Sequence, residues 1–223
     1  DYKASGGSSS HYGIRINGCG EGTLVVKNRV QMEFTGTHYG LYISYITALA
    51  QDKAVIANNF ISMTGTTSHP VLIYVYNAAH VIIAHNSLYC QPAGNTRGIY
   101  VTSPPQNASL RIVNNMICNA GGGYTLYFNT SNAQYIAQCD HNNLYTSGSG
   151  LAYFGSSFSD LASWQFITNW DSNSVSLDPL FHSPADLYPY NHSLNDLGLP
   201  LPDITDDING NLRSICHPDI GAI

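Results

Sequence analysis

The stretch Gly98-Ile99-Tyr100-Val101-Thr102 decides the fold, because similar short stretches recur on both sides of it. The residues that correspond to Tyr100 in the other copies are Arg15, Tyr42, Tyr74, Tyr127 and Tyr153. These six positions follow one another at steps of 27, 32, 26, 27 and 26 residues. Each copy alternates apolar and polar or aromatic residues, which is the period of a strand with one buried face. Short strands that recur at a nearly constant interval predict a solenoid.

A second series of strands has the same period and contains Asn in each copy. Its Asn residues, at steps of 27, 29 and 28, are Asn59, Asn86, Asn115 and Asn143. Asn28 is the candidate first member. Asn tolerates a left-handed backbone at sharp bends, and stacked Asn amides can hydrogen-bond to each other. The two phased series predict coils with at least two strands each, and the longer step of 32 predicts an insertion within residues 64–70.

These series resemble the right-handed parallel β-helix of the pectate-lyase-like type. The resemblance covers residues 11–158 and implies an all-β solenoid of about six coils. Residues 1–10 have the composition of a linker remnant. Residues 159–223 resemble the closing segment of bacterial secreted β-helix proteins, and we expect them to form a C-terminal capping segment that covers the last rung. The residues that carry this second resemblance are Trp164, Asp171, Ser174, Asp178, Pro179, Phe181, Gly210, Arg213 and residues 219–222.

Composition limits the classes of partner. The 223 residues have a net charge of −6, with only eight Lys and Arg, which argues against nucleic acid or an anionic membrane as a partner. No apolar run approaches the roughly 20 residues that span a bilayer. Of the five cysteines, Cys90 and Cys118 are 28 residues apart, so we expect them to stack as small buried residues in neighbouring coils. The sequence leaves a single disulfide between them open.

Catalytic chemistry has little support. No Asp or Glu occurs from Ala54 to Cys139, whereas a glycosidase needs two carboxylates about 5–9.5 Å apart. The resemblance implies that a lyase of this fold would use clustered acidic residues to hold Ca²⁺ and an Arg or Lys as base. Asp140 beside His141 is the best remaining candidate, although a turn role suits it better. No zinc-like spacing occurs. We therefore predict no catalytic residue, no metal site and no cofactor.

The repeated tyrosines are the main candidate site. In an Ile-Tyr-Val strand the aliphatic residues point inward, so the tyrosines point outward and form an aromatic strip edged by polar groups. Contiguous exposed aromatic surface marks binding sites, and an uncharged strip favours a neutral glycan over pectin or alginate. The predicted binding residues are Arg15, Tyr42, Tyr74, Tyr76, Tyr100, Tyr127, Asn129 and Tyr153. Stacking that only stabilises the sheet is the alternative, and a register shifted by one residue would turn these side chains inward.

The sequence therefore predicts a non-catalytic carbohydrate-binding module, similar to β-helix modules of bacterial secreted proteins. We expect its ligand to be a neutral plant polysaccharide such as xylan or another β-glycan. We expect a monomer, located outside the cell or on its surface and tethered to upstream catalytic or surface domains. One alternative is a polysaccharide lyase or glycoside hydrolase of the same fold, with its site near Asp140. The other is a structural or adhesive spacer.

Overall fold

Each turn of the chain contains three short strands, and successive turns stack so that equivalent strands pair in parallel. The computed structural model describes residues 2–5, 10–34, 37–65 and 69–223. The strands of the repeat are, in chain order, β1 (Tyr2–Ser5), β2 (His11–Asn17), β3 (Leu24–Val26), β4 (Arg29–Phe34), β5 (Thr37–Ser44), β6 (Ala54–Ala57), β7 (Phe60–Gly65), β8 (His69–Tyr76), β9 (Val81–Ala84), β10 (Ser87–Cys90), β11 (Thr96–Thr102), β12 (Leu110–Val113), β13 (Met116–Asn119), β14 (Gly123–Asn129), β15 (Ile136–Asp140), β16 (Asn143–Thr146), β17 (Ala152–Phe154) and β18 (Ser156–Phe158).

Three parallel sheets surround one core. Sheet A has the order β1-β4-β7-β10-β13-β16, and sheet C has the order β3-β6-β9-β12-β15. Sheet B contains β2, β5, β8, β11, β14 and β17 in parallel, and β18 pairs antiparallel with β17 at its end. This is the predicted all-β solenoid, with about five turns rather than six. The last predicted coil is incomplete because β17 is followed by an antiparallel strand and not by a further strand of sheet C.

The core confirms the predicted orientation of the repeat. Ile43, Val75, Val101 and Phe128 are in register in sheet B and are almost fully buried. The tyrosine before each of them is only partly buried. The aliphatic residues therefore fill the inside of the solenoid and the tyrosines face outward.

An asparagine ladder joins the turns at the bend between sheets C and A. At each step the backbone N–H and the side-chain Nδ2 of one Asn donate to the Oδ1 of the Asn in the next turn, over 2.8–3.2 Å. The members are Asn28, Asn59, Asn86, Asn115 and Asn142. Asn28 is thus the first member, as predicted, but the prediction of Asn143 as the last was wrong. His141 takes the left-handed bend (φ 55°), so Asn142 occupies the ladder position and Asn143 begins β16.

The ladder ends on a buried carboxylate. Asp171 Oδ1 accepts a hydrogen bond from Asn142 Nδ2 (2.9 Å) and another from Ser174 Oγ (2.6 Å), and Asp171 Oδ2 accepts from Trp164 Nε1 (2.8 Å). The N–H groups that join one ladder Asn to the next all point toward this end, so a negative charge is favourable there, as it is at a helix N-terminus. Asp160 caps the helix that carries Trp164, which is α1 (Leu161–Thr168).

Only the first part of the C-terminal segment lies over the last rung. Trp164 and Trp170 pack against Phe128 there. The remaining chain, which includes the hairpin β19 (Phe181–Ser183) and β20 (Asp186–Pro189), runs back along the outside of the solenoid. Its contacts with successively earlier turns are Leu199 with Asn114, Ala222 with Ser87, Arg213 with Asn58 and Asp206 with Lys27. The tail therefore braces the corner that carries the ladder.

Two local expectations differ from the structure. Strand β1 lies within the segment expected to be a linker, and residues 1 and 6–9 of that segment lie outside the described residues. The extra residues of the 32-residue step lie mainly in the β5–β6 connection, residues 45–53, where Leu49 and Asp52 form a bridge. The predicted insertion at residues 64–70 is only a short connection, and residues 66–68 of it lie outside the described part of the chain.

The two central cysteines are not stacked on each other. Cys118 is in register with Tyr89, whereas Cys90 is in register with Asn119, so the two thiols belong to opposite faces of sheet A. Both are free thiols. Burial raises the pKa of Cys118 to about 12, so it stays protonated at neutral pH.

The ladder generates a stability prediction. Asn115→Ala should lower the free energy of unfolding by about 3 kcal/mol or more, because it removes the acceptor of the Asn86 backbone N–H and Nδ2 and the donor to the buried Ile83 carbonyl oxygen. Asn107→Ala, at an exposed position, is the control and should change it by less than about 0.5 kcal/mol. Urea unfolding of both variants measures the difference. Equal stability of the two would contradict a structural role for the ladder.

A second prediction concerns pH. His85 is fully buried, with Nδ1 3.2 Å from the Gly221 carbonyl oxygen, and its pKa falls to about 3, first because of burial and then because of nearby Arg213. The unfolded chain binds a proton at His85 below about pH 6.5 and the folded chain does not, so stability should fall on acidification by up to about 1.4 kcal/mol per pH unit.

His85→Asn should flatten this dependence between pH 6.5 and pH 4, since Asn58 and Asn114 hold the same left-handed position in the adjacent turns. Urea titrations at several pH values measure it, with His192→Asn, on the surface, as control. An unchanged slope in His85→Asn would refute the assignment.

Candidate functional site

The predicted tyrosines form one continuous column on the outer face of sheet B. Each residue of the column is the register partner of the next, in the order Arg15, Tyr42, Tyr74, Tyr100, Tyr127 and Tyr153. From Tyr42 to Tyr153 the ring centroids of neighbours are 4.4–5.2 Å apart. The outer pairs are stacked and the two pairs that involve Tyr100 are edge-to-face. All five rings are partly exposed.

A second column lies beside the first and was missed by the sequence analysis. Its members, each three residues before a member of the first column, are Tyr12, Tyr39, Val71, Arg97 and Tyr124. Tyr39 contacts both Tyr42 and Tyr74 with centroids 5.2 Å apart, and Tyr124 contacts Tyr127 at 5.3 Å. A strict period of two places residues three apart on opposite faces of a strand, so alternation alone hides this column.

The glycines between the columns explain why both face outward. In the Tyr39-Gly40-Leu41-Tyr42 segment, Gly40 and Leu41 are both buried, so the strand bends and exposes the residues on either side. A Cβ on Gly40 would lie 2.5 Å from Ile61 Cγ2, and one on Gly98 would lie 2.4 Å from the Thr125 carbonyl oxygen. The recurring Tyr- or Arg-Gly-aliphatic triplet before the central position was the signal that could have revealed the second column.

A polar column completes the surface on its other side. Its members are Asn17, Ser44, Tyr76, Thr102 and Asn129. Ser44 Oγ donates to Asn17 Oδ1 (2.7 Å), and Asn129 Nδ2 donates to Thr102 Oγ1 (3.2 Å). The exposed Tyr45 lies against Tyr76, with ring centroids 5.2 Å apart. We call these three columns together with Tyr45 the tyrosine strip.

The tyrosine strip is not uncharged, contrary to the sequence analysis. The Arg15 guanidinium lies over the rings of Tyr12 (5.2 Å) and Tyr42 (5.4 Å), and that of Arg97 lies over Tyr100 (4.7 Å) and Tyr127 (4.4 Å). No Asp or Glu occurs among the strip residues. Burial and neighbouring phenols raise the pKa of Tyr74, so its hydroxyl stays neutral. The surface thus combines neutral phenols, amides and two cations.

Asp140, the catalytic candidate from the sequence, and two acidic residues of the tail have structural partners. Asp140 Oδ1 accepts a hydrogen bond from the Asn173 backbone N–H (2.8 Å), and its Oδ2 accepts from Asn173 Nδ2 (2.7 Å). Asp206 pairs with Lys27, and Asp207 accepts hydrogen bonds from Asn209 and Asn211. Within the described ranges no group of three or more His, Cys, Asp or Glu could hold a metal ion. In that part of the chain no helix is long and apolar enough to cross a membrane.

Comparison of the chain with protein-family models, with curated proteins and with solved structures found no match. The resemblance to pectate-lyase-like proteins therefore stays a prediction from the repeat pattern, and the fold itself is read from the structure.

The glycines of the strip generate a prediction. Gly98→Ala should destabilise the protein by about 1–3 kcal/mol, because the added Cβ meets the Thr125 carbonyl oxygen and Ile117 Cγ2 at 2.4 and 2.6 Å. It should also change the tyrosine near-UV circular dichroism, since Arg97 precedes Gly98 and Tyr100 follows two residues after it. Gly20→Ala, whose Cβ would meet only Thr47 Oγ1 at 3.9 Å, is the matched control. An unaltered spectrum and stability for Gly98→Ala would show that the bend tolerates a side chain.

Proposed function

We propose that this protein is a carbohydrate-binding module and that a polysaccharide chain lies along the tyrosine strip. The observation that supports the proposal is the unbroken row of five partly exposed tyrosines, in register over five turns. At one parallel-strand spacing per step, the row from Tyr42 to Tyr153 extends roughly 20 Å. That length accommodates several linked sugar rings.

The chemistry of the surface suits a sugar chain. Sugar rings have a C–H face that packs on aromatic rings, and they carry hydroxyls that pair with uncharged polar groups. The central column presents five tyrosine rings, and the amide of Asn129 is exposed along one edge. Continuous aromatic surface of this kind is unusual on a protein unless it binds something.

We propose that the main chain of the ligand is neutral, such as xylan or another β-glycan. The five phenols of the central column, with the accessible Asn17, Tyr76 and Asn129 of the polar column, would contact most of such a chain, whereas the two cations lie at separate points of the strip. Because plant polysaccharides lie outside the cells that degrade them, we also propose an extracellular or cell-surface location.

Affinity electrophoresis in gels that contain xylan, mixed-linkage glucan, mannan, pectin or alginate tests the proposal. The wild-type protein should be retarded by a neutral glycan. The double variant Tyr100→Ala/Tyr127→Ala should bind about tenfold or more weakly, since each aromatic contact is worth about 0.5–1.5 kcal/mol. Tyr190→Ala, an exposed tyrosine distant from the strip in the chain and stacked on His182, should bind like the wild type.

Tyr45→Ala serves as a second strip variant, because its exposed ring makes a smaller contribution to packing. It should weaken binding and leave the unfolding midpoint unchanged. Absence of retardation of the wild-type protein in every gel would leave the tyrosines as sheet-stabilising residues and overturn the proposal.

A further inference from the structure

Arg97 is a charged member of the tyrosine strip, and packing alone does not explain its charge. It lies in β11, in register with Val71 and Tyr124. Its guanidinium carbon is 4.7 Å from the ring centroid of Tyr100 and 4.4 Å from that of Tyr127. The side chain is thus fixed between rings of two adjacent turns and its orientation is set before any ligand arrives.

The charge of Arg97 has no counter-ion among the residues that the structure describes. No described residue forms an ion pair or hydrogen bond with it, and its Nε is buried without an acceptor. The two terminal nitrogens of Arg97, unlike its Nε, are accessible to solvent. The ring faces attract the guanidinium, but they do not accept hydrogen bonds from its N–H groups, which point outward in the guanidinium plane. A ligand oxygen in that plane would therefore gain charge-assisted hydrogen bonds that the protein leaves open.

A bare trough lies beside Tyr124, and Arg97 is not one of its lining residues. It has a volume of about 460 Å³, and Tyr124, the register partner of Arg97, forms one wall. Its other lining residues are Gly94, Gly122, Gly123, Gly148, Ser149, Gly150 and Ser157. Five of these are glycines, so the bends between sheets A and B leave room beside the strip over three successive turns. A group that branches from a chain on the strip would fit into this space.

We propose that Arg97 forms a subsite for an anionic substituent, a carboxylate or a sulfate, carried by the polysaccharide main chain, and that the trough beside Tyr124 leaves room for the branch that carries it. The proposal rests on the proposed function, since the main chain is taken to lie on the tyrosine strip. An arginine suits this role because its planar fork can donate two parallel hydrogen bonds to one carboxylate or sulfate group. The preferred ligand is then an acid-substituted glycan with a neutral main chain.

A matched pair of ligands tests the subsite: glucuronoxylan and the same glucuronoxylan after chemical reduction of its carboxylates to alcohols. Isothermal titration should show about tenfold tighter binding of the untreated glycan by the wild-type protein at low salt. Arg97→Gln should bind both glycans equally, at the affinity of the wild type for the reduced one, and Arg97→Lys should keep part of the preference. A xylan that carries sulfate groups and no carboxylates shows whether sulfate or carboxylate is the preferred group.

Arg111→Gln is the control, since Arg111 lies on sheet C, bonded to Gln138, and carries the only other basic charge between Ala54 and Cys139. It should retain the full preference, and near-UV circular dichroism should show that the Arg97 variants keep the tyrosine packing. Equal binding of the two glycans by the wild type would overturn the subsite while leaving the proposed function intact. A preference that survives Arg97→Gln would also overturn it. Failure to bind either glycan would overturn the subsite as well, and the gels with the other glycans would then decide the proposed function.

Discussion

The hydrogen bonds of the asparagine ladder set the constraint on which the rest of the structure depends. Each buried amide must find partners, because an unpaired polar group inside the protein costs on the order of 1–3 kcal/mol. Asn59, Asn86 and Asn115 meet this requirement only when each lies directly over its counterpart in the next turn. A shift of one residue would break the ladder and turn the strand side chains to the wrong face. The ladder therefore fixes how the turns stack at the bend between sheets C and A, and sheet B pairs the same turns in parallel.

The columns on the surface follow from that register. Once equivalent positions coincide, a tyrosine repeated in each turn stacks on the tyrosines above and below it. The inward-facing pairs such as Gly40 and Leu41 add a bend, and the bend brings a second column onto the same face. Arg97 and Tyr124 thereby meet Tyr100 and Tyr127, although neither belongs to the outward face of a regular strand. The candidate site is therefore a consequence of the repeat, since strand residues form nearly all of it.

Charge is distributed unevenly over the molecule. Ten of the fourteen acidic residues lie from Asp140 onward, in the last turns and the tail, and the central turns have none. In the tail these carboxylates have structural partners: Asp171 ends the ladder, Asp207 caps a turn, and Asp206 pairs with Lys27 in the first turns. The strip face keeps Arg15 and Arg97 without carboxylates of its own. The acidic groups therefore stabilise the contact between the tail and the solenoid, whereas the charged groups of the tyrosine strip are both cations.

The sequence by itself determined the parallel solenoid, the outward direction of the tyrosines and most of the ladder, because these features depend on a period that can be counted. It could not place the last ladder residue, since Asn142 and Asn143 are adjacent and only the left-handed backbone of His141 selects between them. It could not find Tyr39, Tyr124 or Arg97 in the candidate site, because the bend at the inward pair appears only when neighbouring turns pack together.

The path of the tail was likewise decided by tertiary contacts. The contacts of Arg213 with Asn58 and of Leu199 with Asn114 join residues more than 80 positions apart and follow no period. A repeat fixes what stacks on its own copies, whereas the course of a segment outside the repeat depends on the particular surface that it meets.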